Sequence, residues 1–103
     1  MPDVIDVPQI KPKPAKGRAK SDKLDKLPRY AVILHNDDEH SMDEVVAYLM
    51  QIFGFSLGKA TLHMLEAHYE GRSTVMVTHQ ERAELYRDKM RSKTLIASIE
   101  RLD

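Results

Sequence analysis

Apolar positions along this chain recur in two rhythms, and the switches between them mark out its elements. From Tyr30 to His35 the residues are aromatic, β-branched or aliphatic and run straight into a polar cluster, which predicts a strand. Met42, Val45, Val46, Leu49 and Phe53 then repeat at helical spacing up to Gly54. Ser41-Met-Asp-Glu44 in front of them has the form of a capping box. Ser56 opens a second helix, with Ala60, Met64, Ala67 and His68 along one face and Gly71 closing it. Little chain separates the two, which predicts an αα-hairpin. Ser73 to Thr78 reads as a second strand with Val75 and Val77 on one face. Thr78-His-Gln-Glu81 reads as another capping box, heading a helix with Ala83, Tyr86 and Met90 on one stripe. Leu95, Ala97 and Ile99 alternate with Ile96, Ser98 and Glu100 in a final strand. The order β-α-α-β-α-β predicts an α+β sandwich, a three-stranded antiparallel sheet with helices packed on one face.

Composition changes sharply near residue 28. All five prolines precede Arg29, together with Lys11, Lys13, Lys16, Arg18, Lys20, Lys23 and Lys26 and few large apolar groups. Such a segment cannot offset its ordering entropy by burial, so residues 1–28 are expected to be a disordered basic extension and residues 29–103 the core domain. The formal net charge is zero, which leaves the core mildly acidic. A basic tail could touch nucleic acid, but solvated lysine tails are the commoner case. With no cysteine, disulfides and thiolate ligands are excluded. No apolar run is long enough for a membrane span, and Asp3, Asp6, Asp22 and Asp25 argue against a transit peptide. The expectation is a bacterial-type cytoplasmic protein.

Residues 35–43, HNDDEHSMD, concentrate acceptors at the end of the first strand. Asn and Asp serve turns and caps, and Asp38, Glu39 and His40 are read as no more than that. Adjacent Asp37 and Asp38 with no following glycine do not make a calcium loop, and His63 and His68, five apart, do not face one zinc ion. No metal or cofactor is expected. No serine or cysteine nucleophile motif is present, so an enzyme is the weakest reading. His68 is different. An apolar pocket of Met42, Val45, Met64 and Ala67 would lie beside it and beside the polar end of the first strand, suiting a ligand with a greasy side chain and a nearby cation.

The runs Y-x-V-I-L-x-N-D-D, M-x-x-V-V and K-A-T-x-x-M-L-x-x-H-Y-x-G closely resemble the ClpS family, adaptors that deliver N-degron substrates to the Clp protease. The likeness covers most of residues 28–103. It implies the same sandwich and assigns roles. Asn36, Asp37 and His68 would hold the substrate's free α-amino group. Leu34, Met42, Val45, Met64, Ala67 and Leu95 would wall the side-chain pocket. Glu81 and Tyr86 would dock the N-terminal domain of a ClpA- or ClpC-type AAA+ unfoldase working with ClpP. Substrates would begin with Leu, Phe, Tyr or Trp. The chain departs from the family pattern at His40-Ser41, where Thr-Pro is frequent, at Ala67, where a larger residue is common, and at Tyr86, where lysine is typical. The rival reading is a divergent peptide-binding or ribosome- or nucleic-acid-associated module without a protease partner, which would leave Asn36, Asp37 and His68 without a purpose.

Overall fold

The computed structural model describes residues 27–103, so the extension expected over residues 1–28 lies, apart from Leu27 and Pro28, outside the described residues. Three strands and three helices follow in the expected order: β1 (Arg29–His35), α1 (Met42–Phe53), α2 (Leu57–Glu70), β2 (Arg72–His79), α3 (Gln80–Ser92) and β3 (Ala97–Arg101). β1 is central, antiparallel to β2 on one side and β3 on the other. This is the α+β sandwich that the periodicity predicts.

The helices cover one face of the sheet. Val32 and Leu34 project into a core shared with Val46 and Leu49 of α1, Ala60, Met64 and Ala67 of α2, and Ala83 and Met90 of α3. Ala31 and Ile33 point to the other face, yet both are buried. Arg72, opposite His35, and Glu100, opposite Ala31, meet at 2.8 Å and so bridge the central strand at the level of Ile33. An exposed ion pair of this kind stabilises little by itself, but the stems of the two side chains can shield Ile33 from water.

Local sequence explains the α1–α2 hairpin. The Ser41 hydroxyl accepts the Glu44 amide at 3.1 Å, and the Glu44 carboxylate accepts the Ser41 amide at 2.8 Å, completing the expected box. Gly54 ends α1 at φ 74°, left-handed backbone that a residue with a Cβ adopts at a cost. Ser56 caps α2 by accepting from the Lys59 amide. Phe53, Phe55, Tyr86 and His63 then stack ring on ring at 4.8 to 5.3 Å between centroids, joining the hairpin corner to α3.

Two local expectations are corrected. Val75 and Val77 do not share a face. The register slips between Val32 and Ile33, which pair with Met76 and Thr74, so Val75 is the extra residue of a β-bulge. Val75 joins the core while Val77, paired with Ala31, is exposed. The Thr78–Glu81 capping box is also absent. β2 runs on to His79, which is itself the N-cap of α3 and makes no side-chain capping bond. Thr78 is still needed by the sheet, where it pairs with Tyr30.

Candidate functional site

Where β1 ends, the chain passes into Asn36-Asp37-Asp38-Glu39-His40 before α1 begins. Two backbone bonds fix this turn to the residues that lead into the two neighbouring strands. The His35 amide donates to Ile96 O at 2.9 Å, and the Asn36 amide to Gly71 O at 3.0 Å. The second bond sets Asn36 beside the end of α2, where His68 lies. A cavity of about 30 Å³ opens here. Leu34 of β1, Met42 and Val45 of α1, and Met64 and Ala67 of α2 supply its apolar wall; His35, Asn36, Asp37, His40 and His68 supply the polar part.

The polar groups differ in how far the protein already uses them. The Asp37 side chain is only 5% exposed. Its Oδ1 accepts the amides of Glu39 and His40, both at 2.9 Å, so the aspartate shapes the turn that carries it. The Nδ1 of His40 lies 3.2 Å from Oδ2. Burial pushes the Asp37 carboxyl up, but the two backbone amides and the His40 ring outweigh it and hold the group below its ordinary value. Asp37 is therefore a resident negative charge at neutral pH. Asn36 and His68 are exposed, and among the described residues their side chains make no hydrogen bond to protein. The His68 ring instead meets Tyr69 edge-on at 4.7 Å. An anion fixed within the wall and two unengaged polar groups at the rim can receive a cation that carries several donors.

Most residues singled out in the sequence meet here: Leu34, Asn36, Asp37, Met42, Val45, Met64, Ala67 and His68 all line the cavity. Leu95 does not. It is buried in the main core at 3% exposure and is absent from the cavity wall, because the turn after α3 carries it under the helices. His40, read from sequence as an ordinary turn residue, does line the cavity and contacts Asp37. No local signal marks it, since its other partners, Lys93 and Thr94, lie more than fifty residues further along the chain. His35 also lines the cavity, and its Nε2 bonds Ser98 at 2.7 Å. Glu81 and Tyr86 lie elsewhere, at the start and middle of α3. Glu81 is exposed, whereas Tyr86 is half-buried against Phe53 with Arg82 and Lys89 over its ring. Among the described residues no cluster of metal-ligating side chains occurs, and no helix is long and apolar enough to cross a membrane.

Comparison with known proteins identifies the family. The profile of the family described as "ATP-dependent Clp protease adaptor protein ClpS" matches residues 25–97. An ATP-dependent Clp protease adapter protein ClpS from Synechococcus sp. (strain CC9902) is 45% identical over 74 residues, covering 71% of each chain. One from Synechococcus elongatus is 42% identical over 74 residues, covering 71% of this chain and 78% of the relative. Among solved structures, Agrobacterium tumefaciens ClpS2 bound to L-phenylalaninamide superposes with a TM-score of 0.71 at 24% identity, covering 75% of this chain and all of that one. With the profile spanning well over half of its length, the chain belongs to the ClpS family of Clp protease adaptors.

Proposed function

We propose that the protein captures substrates by a free α-amino group and a bulky hydrophobic first residue, and hands them to a Clp AAA+ unfoldase of ClpA or ClpC type and its ClpP protease. The observation that carries this reading is the cavity itself, an apolar wall with a charged Asp37 and unengaged Asn36 and His68 at its mouth. A protein's α-amino group has an ordinary pKa of about 7.7–8.0, so it is largely charged at neutral pH and offers three donors. Asp37 supplies the opposite charge, and the Asn36 carbonyl and an unprotonated nitrogen of His68 supply acceptors. Each such charge-assisted bond contributes about 1.5–3 kcal/mol. A leucine or phenylalanine side chain buried against Leu34, Met42, Val45, Met64 and Ala67 contributes about as much. The relative solved with L-phenylalaninamide holds a ligand of the same chemistry, a free amine next to an aromatic side chain.

At about 30 Å³ the cavity has space for a water molecule but not for such a side chain. Entry therefore requires the wall to move. Met42 is the suited element: it is 40% exposed at the mouth and has an unbranched, flexible chain. For the unfoldase, Glu81 and Tyr86 are the proposed contacts. The exposed carboxylate of Glu81 lies in a groove shared with Leu27, Pro28, His79, Gln80 and Glu84.

The test is degradation of a folded reporter whose exposed first residue is leucine, by a purified unfoldase–protease pair with and without this chain. Degradation should accelerate on addition of the chain and slow again when a free Leu-initiated dipeptide competes. A reporter beginning with leucine that is degraded at the same rate in all three conditions would refute the assignment.

A further inference from the structure

His40 stands between two parts of the molecule that sequence keeps far apart. Its Nδ1 lies 3.2 and 3.3 Å from the two Asp37 carboxylate oxygens. Its Nε2 lies 3.1 Å from the Lys93 carbonyl oxygen and 3.0 Å from the Thr94 hydroxyl, in the turn between α3 and β3. That turn has a fixed shape: Thr94 sits at φ 62°, uncommon for a residue with a side chain, and its hydroxyl reaches back to Lys93 O. Tyr48 of α1 packs its ring edge-on to His40, with centroids 5.9 Å apart. The His40 side chain is 10% exposed and so is held from three directions. A carboxylate can only accept, so Nδ1 carries a proton toward Asp37. The Lys93 carbonyl likewise can only accept, and the Thr94 hydroxyl gives its own proton to Lys93 O, so Nε2 meets both as a donor.

We propose that His40 is a positioning residue for ligand capture, clamping the Asp37 carboxylate through Nδ1 in the orientation that faces the cavity, with the Lys93–Thr94 turn as its anchor. The turn amides of Glu39 and His40 both grip Oδ1. Nδ1 spans both oxygens, and among the described residues it is the one hydrogen-bonding partner of Oδ2, so the ring bears on how the carboxylate is rotated about its own axis. The inference rests on Asp37 receiving an α-amino group, as proposed above.

The two nitrogens can be separated by substitution. An asparagine at 40 places its amide near the site of Nδ1 and can still donate to Asp37. A glutamine extends toward the site of Nε2 and can reach Lys93 and Thr94 instead. Affinity for a Leu-initiated peptide is to be measured on the full chain for the wild type, His40→Asn, His40→Gln and His40→Ala. The alanine and glutamine variants should lose about tenfold, the equivalent of one charge-assisted hydrogen bond, and the asparagine variant distinctly less. In an Asp37→Asn background, His40→Ala should cost little more, because the residue it acts through is already altered. Ratios between Leu-, Phe- and Trp-initiated peptides should stay unchanged, since the amine end alone is affected. Glutamine equal to or better than asparagine, or full additivity with Asp37→Asn, would overturn the proposal. On the unmutated protein, ¹⁵N spectra of the His40 ring should show a proton on Nδ1, and a ring protonated at Nε2 alone would overturn it without any variant having to fold. A wild-type chain that binds no free-amine peptide would instead refute the parent reading, leaving the ring's tautomer still to be judged by the spectra.

Discussion

Asp37, Asp38 and Glu39 are three consecutive carboxylates with three different situations. Asp37 is buried in the cavity wall with both oxygens engaged, while Asp38 and Glu39 are exposed. Proximity in sequence therefore says little about which carboxylate meets a ligand; burial and hydrogen bonding say more. His68 makes the converse point, since among the described residues its side chain makes no hydrogen bond to protein, which leaves its ring nitrogens available. Replacing His68 by alanine is expected to weaken binding of a free-amine peptide by about 1–3 kcal/mol, because a donor of the bound ammonium is then left without its acceptor. Glu39→Ala is expected to change affinity by no more than about 0.5 kcal/mol, the ordinary size of an exposed substitution. Calorimetric titration of both variants against one Leu-initiated peptide checks the pair, and equal losses would show that the ligand meets the outer carboxylate as well.

At the scale of elements, α2 and β2 are held together by more than apolar packing. The buried Ser73 hydroxyl donates to Glu66 and accepts from Nδ1 of His63 at 2.8 Å, while the His63 ring stacks on Phe55. Burial drives the His63 pKa below its ordinary value; Glu66 opposes the shift and Lys59 reinforces it. The folded state thus takes up this proton less readily than the unfolded chain. Its contribution to stability is fully present above about pH 6.5, the ordinary histidine value, and is lost as pH falls from there through the lower folded value. Urea unfolding from pH 7.5 down to 5 should show the wild type losing more stability than His63→Gln, which removes the titration; parallel curves would contradict this. Legibility divides along the same lines of locality. The Ser41–Glu44 box, the glycine stop at Gly54 and the core face of α2 are set by spacings within a few residues, and all were readable in the chain. The bulge at Val75 and the start of α3 at His79 depend on pairing with β1, which a linear pattern does not contain. The cavity was largely readable because Met42, Val45, Met64 and Ala67 fall on helix faces whose directions follow from periodicity. Leu95 and His40 were not, because their surroundings depend on how the α3–β3 turn folds back toward the first turn.

Across the whole molecule, β1 sets the distance between the cavity and the proposed docking surface. His35 pairs with Arg72 at the cavity end, and Arg29 with His79, next to Glu81, at the other. Seven strand residues at about 3.3 Å each separate the two by roughly 20 Å. A substrate's first residue and an unfoldase domain could thus be held at once without competing for the same side chains, which is what an adaptor requires. The central claim is that the cavity reads a free amine beside a bulky side chain, and one titration addresses it most directly. Fluorescence anisotropy compares two labelled peptides of identical sequence beginning with leucine, one with a free α-amino group and one acetylated. The free peptide should bind with a dissociation constant in the micromolar range, about −8 kcal/mol, and the acetylated peptide at least a hundredfold more weakly, about 2.7 kcal/mol. Superimposable curves for the two peptides would contradict the account.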